Sequence, residues 1–142
     1  MKYNISIACE KSNLQRIRTF VIEVLRSQQL PELDVHSMVL AVDEVCANMM
    51  IHSNNCSPDH SIEVIIYTDN KDKVVFDIID NGRGFDIRDF PEPDISEIIK
   101  MKKKGGVGLM LVKRIMDEID FIRKDKNSIV RLTKFLETTT EP

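Results

Sequence analysis

All five glycines of this 142-residue chain fall in two short clusters. One is Asp80-Asn81-Gly82-Arg83-Gly84-Phe85-Asp86; the other is Gly105-Gly106-Val107-Gly108-Leu109. The turns elsewhere are made without glycine. Glycine permits positive φ and close approach of a backbone to a ligand, at an entropic cost. A chain that confines it to two places therefore needs backbone approach at those places, and every other element must form from residues with side chains.

Those elements are legible from periodicity. Tyr3–Cys9 alternates and predicts a strand. Ser12 and Gln15 have the spacing of a capping box, and Leu14, Ile17, Phe20, Val21, Val24 and Leu25 follow at helical spacing, so a helix is expected over about 12–29. Beyond Pro31, Asp34 is the expected N-cap of a second helix. Its apolar stripe is Val35, Met38, Val39, Val42, Val45, Cys46 and Met49. Asn54–Asp59 reads as a loop. Strands over Ser61–Thr68 and Lys73–Asp80 form a hairpin through Asp69-Asn70-Lys71-Asp72. A segment over about 86–104 has no clear periodicity, and a loop of that length suits a mobile lid. Gly108–Ile119 is helical, and Asp120–Asp125 with Ser128–Leu136 form a closing hairpin. The order predicts an α+β fold: a two-layer sandwich with helices on one face of a mixed, mostly antiparallel sheet. It disfavours a Rossmann repeat, because the first connection holds two helices and the second is a hairpin. A single domain over 1–137 with a frayed tail at 138–142 is expected.

Composition narrows the function classes. Charged residues make up 30% and the net charge is −3 with both signs interspersed, which argues against nucleic acid as a direct partner. No apolar run is long enough to span a bilayer, and the first residues lack the apolar core of a signal peptide, so no membrane partner and a cytoplasmic location are expected. Cys9, Cys46 and Cys56 have no CxxC spacing and read as buried or incidental thiols. With His36, His52 and His60 they give no zinc pattern.

Three places carry candidate chemistry. Alternation puts Val74, Phe76, Ile78 and Asp80 on one strand face, so Asp80 ends an apolar row as a carboxylate aimed into the helix–sheet layer. Such a charge requires solvation or a hydrogen-bond donor, and an adenine amino group is a suitable one. Taken alone, Asp80-Asn81-Gly82 is also an ordinary turn sequence. On the second helix, Glu44, Asn48 and His52 line one drifting face. Asn48 offers a neutral oxygen suited to a Mg²⁺ that already holds phosphates. Glu44 is suited to accept a proton from a hydroxyl or water. Equally, the three form an ordinary polar helix face. The second glycine cluster opens a helix whose N-terminal N–H groups favour phosphate; a flexible start to a helix explains it as well. No Walker A sequence follows. Lys102, Lys103 and Lys104 read as a solvated run or as neutralisers of triphosphate charge.

Taken together, the three elements resemble the gyrase, heat-shock-protein-90 and histidine-kinase ATPase superfamily. Glu44-x-x-x-Asn48 resembles its N-box, Asp80-x-Gly82-x-Gly84 its first glycine box, and Gly106-x-Gly108-Leu109 its second. The resemblance covers about residues 1–136. Within the superfamily, Glu44-x-x-x-Asn48-x-x-x-His52 and Gly84-Phe85-Asp86 look most like the anti-sigma-factor serine kinases. The resemblance implies a Bergerat-type sandwich holding ATP and Mg²⁺. It implies Asp80 on the adenine amine, Asn48 as Mg²⁺ ligand and Glu44 as general base. Gly82, Gly84, Lys104, Gly105, Gly106, Val107, Gly108 and Leu109 would bind or shape the nucleotide pocket. It further implies phosphorylation of a serine on a small antagonist (a STAS-type anti-anti-sigma protein), alternative binding of a sigma factor, and a homodimer. The departures are Val45, where alanine is common, and Gly105, where arginine or serine is common; Lys103 or Lys104 is placed to replace that phosphate contact. An ATP-binding interaction module without kinase activity is the alternative reading.

Overall fold

Alternation of apolar and polar residues shapes every strand of the sheet. The structure is a computed structural model that describes residues 1–52, 60–69, 71–80, 108–124 and 127–136. Its strands are β1 (Lys2–Ala8), β2 (Ser61–Tyr67), β3 (Lys73–Asp80), β4 (Glu118–Lys124) and β5 (Asn127–Phe135). Its α-helices are α1 (Leu14–Ser27), α2 (Glu32–His52) and α3 (Gly108–Ile115). The sheet runs β1-β2-β3-β5-β4, and all four described pairings are antiparallel. β3 is its centre, with Ile78 opposite both Val64 and Val130, and Phe76 opposite both Ile66 and Leu132.

One face of this sheet is covered. Ile62, Val64 and Ile66 of β2, Val74, Phe76 and Ile78 of β3, and Val130 and Leu132 of β5 are buried with Ile17, Val21 and Leu25 of α1. From α2 the core receives Val35, Met38, Ala41, Val42, Val45, Cys46, Met49 and Met50. The expected stripe of α2 is therefore the observed one, with Val39 at its margin. Burying each such side chain contributes about 1.5–3 kcal/mol of transfer free energy, so this layer fixes the height of α2 above β3. The opposite face of the sheet is knit by charge. Arg131 on β5 donates from Nε and Nη2 to Asp77 on β3 at 2.7 and 3.0 Å, in the cross-strand position the register gives them. A two-pronged guanidinium–carboxylate pair of this kind lets Asp77 be buried without leaving its charge uncompensated.

The helix boundaries depart from the sequence reading in instructive ways. The chain enters α1 through a single 3₁₀ turn, Lys11–Asn13, and Asn13 at the N-cap makes no side-chain cap bond. The expected Ser12–Gln15 box is absent: Ser12 lies within the 3₁₀ turn, and Gln15 accepts from Arg18 instead. Asn13 donates back to the Ala8 carbonyl at 2.9 Å, tying the turn to β1. α2 begins at Glu32, with Asp34 inside its first turn rather than capping it; the Pro31 carbonyl already accepts from Val35 N–H. An acidic first turn still favours the positive end of the helix. α3 stops at Ile115, four residues short of the expected Ile119, and Lys134 Nζ donates to its last carbonyl at 3.0 Å. Ile119 lies in β4 opposite Leu132.

α1 ends at a left-handed residue that is not glycine. Gln29 has φ 59°, a region that costs an ordinary residue roughly 1–2 kcal/mol. Its N–H and that of Gln28 close the helix on the Arg26 and Leu25 carbonyls. Gln29→Gly is expected to stabilise the fold by up to about 1 kcal/mol, less than the full strain because glycine gains entropy in the unfolded chain. A urea melt measures it; a lower midpoint would show that the Gln29 side chain contributes more than the strain.

Cys46 is a buried free thiol, and burial, followed by the charge of Asp43, pushes its pKa far above the ordinary thiol range. Cys9 is also buried but disulfide-bonded, which corrects its reading as a thiol. The Cys9 N–H donates to the His60 carbonyl, where the end of β1 meets the start of β2. Among the described residues no helix is long and apolar enough to cross a membrane. The lid segment and the tail lie outside the described residues.

Candidate functional site

The site is built on the later half of α2 and the end of β3. Successive helical residues turn by about 100°, so Leu40, Glu44 and Asn48 step round α2 by about 40° each, from solvent toward the core. Asn48 ends that path and is 3% exposed. Its Nδ2 donates at 2.7 Å to the Glu44 carbonyl one turn earlier. That bond settles which way the amide faces, because only the nitrogen can donate to a carbonyl. The amide oxygen is thus left as the acceptor, the atom that a hard cation such as Mg²⁺ requires.

Glu44 is half-buried. Burial first, and then the neighbouring charge of Asp43, holds its carboxyl above the ordinary carboxylate value. Asp43 is itself held from α1, where Arg18 Nε donates to its Oδ1 at 2.9 Å and Arg18 Nη1 donates to Gln15 at 3.0 Å. This ion pair between helices moderates the negative charge beside Glu44 and locks the turn of α2 that carries it. Sequence reasoning passed over Arg18 and Asp43. The signal available was a charged residue on each helix immediately beside a core position, Ile17 and Val42.

Asp80 closes β3 on the helix-facing side, as the alternation requires. It is 2% exposed and stands between Ile62 of β2 and Ser128 of β5. α2 packs against β3, so the buried Asn48 and the buried Asp80 belong to one interface layer. α3, which starts at Gly108, packs against α2 and brings the N–H groups of a helix N-terminus to the same helical layer. Gly82, Gly84, Lys104, Gly105, Gly106 and Val107 lie outside the described residues, as do the side chains of His52 and Leu109.

The donor set fits a nucleotide with its cation. A carboxylate buried at a strand end suits an amino group on an otherwise apolar ring. A single neutral amide oxygen suits a Mg²⁺ whose other ligands are phosphate and water. Among the described residues no cluster of His, Cys, Asp and Glu could hold a metal by itself.

Comparison with known proteins agrees with this architecture. Residues 7–134 match the histidine kinase-like ATPase domain family, and the chain belongs to that family; the use of ATP goes with it. A serine-protein kinase RsbW of Halalkalibacterium halodurans is 30% identical over 108 residues, covering 73% of this chain and 64% of that kinase. The chain thus spans slightly less than two thirds of the length of the curated relatives it matches. The structure of the SiaB–SiaC complex from Pseudomonas aeruginosa has the same fold, with a TM-score of 0.66 at 13% identity over 94% of this chain and 88% of that one. So does the structure of the RsbU and RsbW domains of Rv1364c from Mycobacterium tuberculosis, with a TM-score of 0.64 at 14% identity over 95% of this chain and 32% of that one.

Proposed function

We propose that this domain is an ATP-dependent protein-serine kinase of the anti-sigma partner-switching type. It phosphorylates a small antagonist protein of the STAS kind and alternatively sequesters a sigma factor, in the cytoplasm and as a homodimer. The observation that carries the reading is the pair on α2: a half-buried carboxylate of raised pKa, Glu44, one turn from a buried amide, Asn48, whose nitrogen is already engaged. The RsbW relatives, named as serine-protein kinases, support the choice of a serine as acceptor.

In this reading Asp80 accepts a hydrogen bond from the adenine amino group. Gly82 and Gly84 let the backbone pass the ring, and Lys104, Gly105, Gly106, Val107, Gly108 and Leu109 enclose the phosphates. The Asn48 amide oxygen would hold Mg²⁺, which would supply neutralisation of the phosphate charge. Glu44 takes the proton of the serine hydroxyl as that oxygen bonds to the γ-phosphorus and the bond from that phosphorus to the β–γ bridging oxygen breaks, releasing ADP; a carboxyl of raised pKa is the stronger base for the task. Phosphoryl transfer asks little else of a protein than position and charge. The unit is the whole of residues 1–137, with a lid over about 86–104. Pairing through β1, an edge strand, is the simplest route to a dimer; a clean monomer in light scattering would refute it.

The test is transfer from γ-labelled ATP with Mg²⁺ into small soluble proteins of the source cell, with Glu44→Gln alongside. A single serine protein labelled by the wild type and not by the variant is the expected result. Stoichiometric ATP binding with no labelled protein would replace the kinase with an ATP-dependent interaction module.

A further inference from the structure

Large apolar side chains left in water are informative when they line up. Leu33 is 78% exposed and Leu40 is 40% exposed. Seven residues apart on α2, they fall within about 20° of one line along the helix. α3, packed against α2, adds the exposed Met110 and Leu111 to the helical layer.

We propose that this ridge of α2 is the docking surface for the protein substrate, whose acceptor serine is carried within an apolar patch. The proposal rests on the kinase reading above. The geometry behind it is the order of residues round α2. Leu40, Glu44 and Asn48 follow one another from solvent to core, and exposure falls in that order. The nucleotide occupies the Asn48 side, in the layer shared with Asp80. Among the described residues the side of Glu44 away from Asn48 is the exposed one, so a serine hydroxyl reaches Glu44 across Leu40. The charges bordering the ridge fit the same partner. Arg18 is paired with Asp43, and Arg26 with Glu32 at 3.0 Å. With these charges matched inside the chain, the complement of the ridge is apolar and not ionic.

The test uses the full chain and the purified serine protein labelled by the wild type. Leu33→Gln/Leu40→Gln replaces two exposed side chains with a good helix former, so folding is expected to survive. KM for the serine protein is expected to rise at least about tenfold. kcat at saturation and the affinity for ATP stay within about twofold, and the rise in KM is nearly independent of salt. Labelling by the wild type with an unchanged KM in the variant would overturn the docking surface and leave the kinase standing. A lower kcat with unchanged KM, or a loss of dimer mass without a change in KM, would overturn it as well, the latter assigning the ridge to a second copy. No labelling by the wild type would remove the kinase reading and this proposal together.

Discussion

Replacing Asp80 with asparagine is expected to weaken ATP binding by about 10²-fold or more, which amounts to losing tight binding. The carboxylate lies buried between β2 and β5 on the helix face of β3. Asparagine has the same shape, so the apolar row behind it, Val74, Phe76 and Ile78, keeps its packing. The chemistry changes: where a charged acceptor is proposed to meet the adenine amine, a neutral amide stands, and one of its orientations opposes donor to donor. Hydrogen bonds to charged groups contribute about 1.5–3 kcal/mol, and an unmatched buried donor adds a further cost. Calorimetric titration with ATP measures the loss, and thermal melting of the free variant confirms that it is folded. An unchanged affinity would sink the adenine assignment.

The second large effect concerns Glu44. Glu44→Gln is expected to bind ATP as the wild type does and to lose about 10²–10⁴-fold in transfer rate. The raised pKa adds a readout independent of transfer. The folded chain holds the Glu44 proton more tightly than the unfolded chain, where a glutamate titrates near about 4.3. Stability from that group is therefore fully present below this value and is lost as the pH rises through the higher folded value. Glutamine carries no such loss. The variant is expected to melt higher than the wild type at neutral pH and alike in acid, by a modest margin because the carboxyl is partly solvated. A transfer rate near wild type would remove Glu44 as the base. A melting difference that persists in acid would show that burial does not set its pKa.

Much of this architecture was open to reading because each layer repeats one simple pattern. β3 begins and ends where alternation placed it, and its helix-facing row includes Asp80 as expected. The stripe of α2 is likewise the observed core. Positions where two patterns overlap were less legible. Ile119 continues the helical spacing of Val112, Ile115 and Met116, yet it also alternates with Phe121; the pairing with Leu132 decides in favour of the strand. Ser12 has the spacing of a cap, but the 3₁₀ turn that absorbs it depends on Asn13 reaching the Ala8 carbonyl, a contact made only once β1 is in place. The Arg18–Asp43 pair and the Asp77–Arg131 pair both join residues distant in the chain. No local periodicity encodes them. In the site itself, the residue types and spacing of Glu44, Asn48 and Asp80 were readable. That Asn48 spends its nitrogen on the Glu44 carbonyl was not, since it depends on a rotamer.

The strand order also governs when such a site can exist during synthesis. β3 acquires its first neighbour through a tight hairpin with β2, but its second, β5, lies beyond both glycine clusters and α3. A growing chain can therefore form α1, α2 and the β1-β2-β3 meander while one edge of β3 is still open. Closing that edge brings Ser128 against Asp80, with the long intervening segment drawn into a loop whose entropy must be lost first. The carboxylate proposed to read adenine is thus enclosed by the last long-range pairing of the sheet. A nascent chain that carries Glu44 and Asn48 but stops short of β5 would not yet hold a nucleotide, and ATP would act as a ligand of the completed sheet alone.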